Sequence, residues 1–310
     1  MNRIIKKVAV LGSGVMGSRI ACHFANIGVP TILLDIVPMN LTEEEKAKPA
    51  LQNKLVNDSL QMAIKQNPSP VYSQKVLKKI TTGNFEDDLQ KIKDCDWIIE
   101  VVIENLEIKK QLFEKVDAIR KPGTLITSNT SGIPIHLMAE DRSEDFQKHF
   151  CGTHFFNPPR YLKLLEIIPS PKTDKSVVDF LMDYGDRFLG KTTVLCKDTP
   201  AFIANRIGVF SIMAVLTVME KLQLTIDEID LLTGPVYGRP KSATFRTADV
   251  VGIDTLVKVA KNTFDACPQD ESRDIFKLPS YIDHLIANKW LGDKTGQGFF
   301  KKIKNEKGES

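Results

Sequence analysis

The feature that most restricts how this chain folds is a set of closely spaced glycines between an apolar run and a helical one: KKVAVLGSGVMGSRIACHFANIG, residues 6–28. The segment KKVAVLG reads as a buried strand. After the glycines, Ile20, Phe24 and Ile27 recur at helical spacing until Gly28 ends the helix. PTILLD, residues 30–35, reads as a second buried strand. Strand, helix and strand make a βαβ unit, the crossover that parallel neighbours in a sheet require.

Within GSGVMG the glycines fall in G-x-G-x-x-G spacing as Gly12, Gly14 and Gly17, with Val15 and Met16 between the last two. This spacing alone is weak, and its context strengthens it: it follows a strand, opens a helix, and precedes Asp35 at the end of the next strand. Gly12 permits the tight turn, Gly14 lets the backbone approach a pyrophosphate, and Gly17 lets helix and strand pack closely. The helix N-terminus offers free N–H groups to phosphate. Asp35 accepts from both ribose hydroxyls and repels a 2′-phosphate, so the expected cofactor is NAD rather than NADP. Arg19, on the first turn of the helix, would help if it faced the pyrophosphate and would disturb packing if it faced the sheet.

At 310 residues the chain exceeds the usual single core, and two domains are expected. From Asn40 to Lys79 charged, helix-forming sequence broken by Pro49, Pro68 and Pro70 reads as a helical excursion, about 40–80. Strand runs return at DWIIEVVI (96–103) and GTLITSN (123–129), with NLEIKKQLFEKVDAIR helical between them. GTHFFN and LLEII extend the sheet, and TTVLCK is its last strand. The expected fold is therefore α/β: a Rossmann-type, doubly wound, mostly parallel sheet over residues 1–197 with a helical insertion, followed by an all-α domain over residues 198–310. Helices are expected at 201–223, 226–232, 249–264 and 279–290, and the tail KKIKNEKGES is expected to fray.

The 42 basic and 39 acidic residues nearly balance, which argues against a nucleic-acid partner. Cys22, Cys95, Cys151, Cys196 and Cys267 are widely spaced and suggest neither a zinc site nor a disulfide framework, so no metal and a reducing, cytoplasmic setting are expected. The longest apolar stretch, IGVFSIMAVLTVM (207–219), is too short to span a bilayer and reads as a buried helix.

One acid stands out. Glu166 lies inside the apolar run LLEII, and His154 lies upstream beyond the turn NPP. A carboxylate is costly in such a run unless paired. A histidine suits a general base at working pH and needs a partner that fixes its tautomer and stabilises the imidazolium. His154 on one strand and Glu166 on the next can meet as base and orienter. With a nicotinamide site in the same domain, that pair suits the proton transfer that accompanies hydride transfer from a secondary alcohol.

GSGVMG, EVVIENLEIKKQLF, SNTSGIPI, GTHFFNPPRYLKLLEII, KDTPAFIANRI and DKTGQGFF together resemble the L-3-hydroxyacyl-CoA dehydrogenase family of fatty-acid β-oxidation, in order and over nearly the whole chain. The resemblance implies oxidation of (S)-3-hydroxyacyl-CoA to 3-ketoacyl-CoA with NAD, and a helical second domain that often dimerises. It places His154 as base with Glu166 as its partner, Ser131 and Asn205 on the reacting oxygen, and Asn157 at the pocket. It also places Glu104, Lys109 and Lys294 near the cofactor, and Ser59 and Lys65 at the CoA moiety. The stretch LLTGPVYGRPKSATFRTADVVGIDT (231–255) resembles the longer, multifunctional members. The implied partners are therefore an acyl-CoA substrate and either a second copy or further domains of a longer polypeptide. A short-chain 3-hydroxybutyryl-CoA dehydrogenase and a non-catalytic NAD-binding module are the alternatives, and the intact set His154, Glu166, Ser131, Asn205 argues against the module. A 6-phosphogluconate-type enzyme would call for a catalytic lysine where the chain has FIANRIGVFS.

Overall fold

The computed structural model describes residues 3–303; residues 1–2 and residues 304–310, most of the charged tail, lie outside the described residues. The chain divides into two compact units after Thr199.

The first unit is built on eight strands: β1 (Val8–Leu11), β2 (Thr31–Asp35), β3 (Ile80–Asn84), β4 (Trp97–Glu100), β5 (Leu125–Ser128), β6 (Phe150–Phe155), β7 (Leu164–Pro169) and β8 (Thr192–Leu195). They form one sheet in the order β3-β2-β1-β4-β5-β6-β7-β8. Every neighbouring pair is parallel except β6 with β7. The order reverses between β1 and β4, which opens a crevice at the carboxyl ends of those strands. The apolar residues of β1 are wholly buried, as a central strand covered on both faces requires.

Helix Val15–Asn26 covers one face of the sheet and carries Phe24 edge-on to Trp97, with ring centroids 5.2 Å apart; Trp97 in turn meets Tyr184 at 5.9 Å. Phe150 precedes Cys151 on β6 and so points to the opposite face. There it packs with Phe113 and Phe146 at 5.1 and 5.2 Å.

β3 is absent from the sequence expectation, which carried the helical excursion to its position. Its sequence, ITTGN, has one apolar residue and is half exposed, because the strand lies at the sheet edge and pairs only with β2. The excursion itself holds short helices Glu43–Lys46 and Pro49–Gln52, the longer helix Lys54–Ile64, and a 3₁₀ turn, Gln74–Lys79. Pro49, expected to break a helix, instead occupies the first turn of one, where its missing N–H has no intrahelical role.

The second unit is helical: Ala204–Leu222, Ile226–Thr233, Phe245–Val251, Ile253–Ala266 and Ser280–Ala287. Its core gathers Met213, Leu216, Phe245, Leu256, Phe276 and Ile282. Gly252, at φ +101°, separates two helices where one was expected over 249–264. Buried Asp249 accepts from the N–H groups of Phe299 and Phe300 at 2.8 and 2.9 Å, which fixes the GQGFF segment. The long helix is not buried all round as expected. Val209, Met213 and Leu216 face the core, whereas Ile207, Phe210, Val218 and Leu222 are exposed.

His23 is buried in the first unit, with Nε2 3.0 Å from the Leu189 carbonyl. Burial, reinforced by the nearby Lys191 charge and only partly offset by that carbonyl, pushes its pKa down from 6.5 to about 4. Between those values the unfolded chain binds a proton that the folded one refuses, so stability present at neutral pH falls as pH drops from 6.5 toward 4. The full loss is about 3 kcal/mol by linkage. Urea unfolding at pH 7 and pH 4.5 should show a lower midpoint in acid, and His23→Gln should flatten that difference.

Candidate active site

The glycine turn and the crevice meet at the ends of β1 and β4. Gly12 adopts φ +105°, and a Cβ there would lie 2.6 Å from the Val101 carbonyl oxygen; at Gly17 a Cβ would strike the carbonyl oxygen of Gly12. Both positions exclude side chains because backbone meets backbone. Gly14 is different: a Cβ there meets nothing within 4 Å, so the space above it is open to a ligand. Gly14 also caps helix Val15–Asn26 without a side chain, which leaves the first-turn N–H groups pointing toward that space. Val15, the first helical residue, is 63% exposed, and Met16 packs against the core.

A cavity of about 480 Å³ opens beside Gly12 and Gly14, with Asp35 at one side and Ile36, Phe85, Val101 and Leu112 among its walls. Asp35 Oδ2 accepts from the N–H and the hydroxyl of Ser13 at 2.6 and 2.5 Å. Ser13 was not singled out from the sequence, though it stands inside the motif. The open Gly14 face, the uncapped helix end and an acid at the tip of β2 fit a dinucleotide. Arg19 does neither of the two things considered for it. Its guanidinium donates to Asn157 Oδ1 at 2.5 Å and to Gln66 Oε1, tying the helical excursion to the turn after β6.

β6 and β7 pair antiparallel with His154 directly opposite Glu166. Glu166 Oε2 accepts from His154 Nδ1 at 2.7 Å, with the Glu166 side chain 0% and the His154 side chain 5% exposed. The carboxylate can only accept, so it holds the imidazole proton on Nδ1 and makes Nε2 the acceptor nitrogen of the ring. Ser131 Oγ lies 3.1 Å from that nitrogen and donates to it. Asn129, just after β5, accepts from the Phe155 N–H at 2.8 Å and fastens the segment beside His154.

Glu104 was expected at the cofactor or at a solvated helix start. Asn105 caps that helix, Leu106–Ile119, and Glu104 turns toward the SNTS segment instead. Its Oε1 accepts from Thr130 Oγ1 at 2.6 Å and from the N–H groups of Ser131 and Gly132 at 3.0 and 3.1 Å. Burial tends to raise the Glu104 carboxyl; the Lys109 charge and the Thr130 and Ser131 hydrogen bonds overcome it and hold the group below the usual carboxylate range. Lys109 is buried, and its Nζ contacts Glu100 Oε1 at 2.6 Å and Glu104 Oε2 at 3.4 Å. Glu100, at the end of β4, is fully buried, and its pKa is raised by that burial against the pull of Lys109. It was missed in the sequence, although an acid in WIIEVV is the same signal as one in LLEII.

Ser59 is half-buried on helix Lys54–Ile64, and Lys65 is exposed at its end. Asn205 is the second residue of the long helix of the second unit, and Lys294 pairs with Asp254 there at 2.5 Å. Asp198, another residue not singled out, accepts from the N–H groups of Ile135 and His136 at 2.8 and 3.0 Å and so anchors the segment that follows Ser131.

Both units match a known protein family. Residues 7–199 match the 3-hydroxyacyl-CoA dehydrogenase NAD binding domain, and residues 202–302 match the C-terminal domain of the same family. A probable 3-hydroxyacyl-CoA dehydrogenase of Bacillus subtilis is 52% identical over 308 residues, 97% of this chain and 39% of the relative, so the chain spans about two fifths of that protein. A probable 3-hydroxyacyl-CoA dehydrogenase of Deinococcus radiodurans is 48% identical over 98% of this chain and 84% of its own length. Among solved structures, (S)-3-hydroxybutyryl-CoA dehydrogenase from Ralstonia eutropha superposes with a TM-score of 0.78 at 26% identity, covering 97% of this chain and all of that one. The glycine cradle, the buried His154–Glu166 pair and two family domains matched end to end place this chain in the 3-hydroxyacyl-CoA dehydrogenase family.

Proposed function

We propose that the chain oxidises (S)-3-hydroxyacyl-CoA to 3-ketoacyl-CoA with NAD, within fatty-acid β-oxidation. The observation that carries this reading is the line Ser131 Oγ, His154 Nε2, His154 Nδ1, Glu166 Oε2, a hydroxyl binder and an oriented base in one hydrogen-bonded row. The Gly12–Gly17 turn and Asp35 would hold NAD, which would supply the acceptor for the substrate hydride. His154 Nε2 takes the hydroxyl proton as the carbonyl forms, and Glu166 stabilises the resulting imidazolium. Ser131 Oγ turns from Nε2 to the substrate oxygen, and Asn205 is the second donor to it. Asn157 borders the acyl pocket, and Ser59, Lys65 and the excursion are the reading for the CoA moiety. The resemblance adds Lys294 on the cofactor side.

His154→Gln should lower kcat by about two to four orders of magnitude, the usual range for losing a general base, while NADH affinity by fluorescence titration stays within about twofold. Comparable loss of NADH binding would remove His154 from the proton-transfer role. Glu166→Gln keeps the shape and loses the charge, so kcat should fall by about two orders of magnitude with substrate KM nearly constant; full activity would refute the pairing. Asp35→Ser should reduce the preference for NADH over NADPH by at least about tenfold. Unchanged discrimination would show that Asp35 does not read the ribose.

The exposed apolar side chains of Ile207, Phe210, Val218 and Leu222 support a homodimer through the second unit. Sedimentation velocity should then give twice the chain mass, and Ile207→Glu should give a monomer. A wild-type monomer at micromolar concentration would overturn the dimer.

A further inference from the structure

Arg19 projects from helix Val15–Asn26 between two distant segments, the end of helix Lys54–Ile64 with the residues that follow it and the start of the turn between β6 and β7. Its Nη1 donates to Asn157 Oδ1 at 2.5 Å, and its Nη2 donates to Gln66 Oε1. Neither partner is a carboxylate. Burial lowers the pKa of the guanidinium, and the opposing influence comes from Cys22 rather than from an acid. Lys65, exposed beside Gln66, adds a second positive charge to that end of the excursion.

The same two segments are joined elsewhere without Arg19. Arg160 Nη1 donates to the Ser69 and Val71 carbonyls at 2.7 and 2.9 Å, and Tyr161 Oη donates to the Ser69 carbonyl at 3.0 Å. The Arg160 guanidinium also lies over the Tyr72 ring, 4.1 Å from its centroid. From helix Val15–Asn26, Asn26 donates to the Pro70 carbonyl and accepts from the Tyr72 N–H, each at 2.9 Å. These contacts fix the segments mechanically, so what Arg19 adds is orientation. A guanidinium has donors and no acceptor, so it takes the oxygen of each amide and turns each N–H₂ away from itself. Asn157 and Gln66 are both exposed, and no group among the described residues accepts from either N–H₂.

We propose that Arg19 is a positioning residue for the acyl-CoA, setting the Asn157 and Gln66 amides as outward donors to the carbonyl and phosphate oxygens of that ligand. This rests on the reading of the substrate given above. An acyl-CoA carries a thioester, amide carbonyls along its arm and phosphates at its far end. All of these accept hydrogen bonds and the phosphates are anionic, which suits two oriented N–H₂ groups beside two cations. In that reading Asn157 serves the acyl end and Gln66, next to Lys65, the CoA end. A carboxylate at either position would hold Arg19 more tightly and offer the ligand no donor.

Arg19→Met keeps an unbranched side chain and removes the donors. Its dissociation constant for acetoacetyl-CoA, measured by titration calorimetry without cofactor, should rise by at least about fivefold, while the NADH dissociation constant stays within about twofold. In turnover with NADH the KM for acetoacetyl-CoA should rise to match, and kcat should change by less than about threefold. Gln66→Glu and Asn157→Asp each keep an acceptor for Arg19 and lose the outward donor, so each should weaken acetoacetyl-CoA binding by about fivefold or more. A tie that is only mechanical predicts unchanged or tighter binding in both, and that result would overturn the proposal. In a Gln66→Met, Asn157→Ala background the further change Arg19→Met should cost less than about twofold; a full loss there would show that Arg19 does not act through the amides. Unchanged acetoacetyl-CoA affinity in Arg19→Met, or an equal loss for NADH, would also overturn it. If Arg19→Met does not fold, Gln66→Glu, at an exposed position, carries the same test. A wild-type chain that bound acetoacetyl-CoA without oxidising NADH would sink the reaction and leave the calorimetric comparison to decide the orientation. One that did not bind acetoacetyl-CoA would overturn the proposal itself.

Discussion

The hydrogen bond between His154 Nδ1 and Glu166 Oε2 exists because β6 and β7 run antiparallel with these two residues in register. In a parallel pair, neighbours on adjacent strands are separated by a whole crossover. One antiparallel pairing among otherwise parallel ones brings together residues twelve apart in sequence. The side chains of directly opposed residues share a face, so a one-residue slip would put the imidazole on one side of the sheet and the carboxylate on the other. The apolar neighbours Leu165 and Ile167, both fully buried, oppose such a slip because it would reverse their faces too. Hydrophobic pattern thus guards catalytic geometry.

Around that pair the interior is unusually polar for a sheet core. Glu100, Lys109, Glu166 and His154 are all buried, and Trp97 Nε1, Thr127 and Thr153 form a further buried chain of hydrogen bonds at 2.9 Å. Polar groups withdrawn from water weaken a fold unless each finds a partner. Here the donors and acceptors come mostly from strand ends and from the turns that leave them, where backbone N–H groups fall outside the ladder. The strand ends at the crevice are consequently the least hydrophobic part of the core and the part with the most fixed dipoles, as a preorganised site requires.

Much of this was legible in the sequence, and the limits have physical causes. The glycine motif announced its turn because steric exclusion at Gly12 and Gly17 is a local, backbone matter. Glu166 was legible because an acid in LLEII contradicts its surroundings. Glu100 sits in WIIEVV with the same contradiction, but its partner Lys109 is one of several lysines in a charged helix, and only its spacing with buried Leu112, Phe113 and Val116 puts it on the inner face. β3 was hidden for the opposite reason. An edge strand need not be apolar, and ITTGN gains its place from pairing with β2 rather than from its own composition. Arg19 could not be placed from spacing alone, since its partners Gln66 and Asn157 come from distant segments brought alongside the helix by the sheet.

The turn from Phe156 to Lys163 joins the two catalytic strands but does not set the distance between their functional groups; the ladder between β6 and β7 does. Lys191, whose ammonium donates to the carbonyls of Pro159 and Leu162, and Arg160, which donates to the carbonyls of Ser69 and Val71, fasten the turn to its surroundings from outside. Spacing and chemistry are therefore mechanically decoupled. Insertions or replacements at the tip of this hairpin can alter the contour of the neighbouring surface while proton transfer is left intact, which makes the turn a place where such a scaffold can diversify.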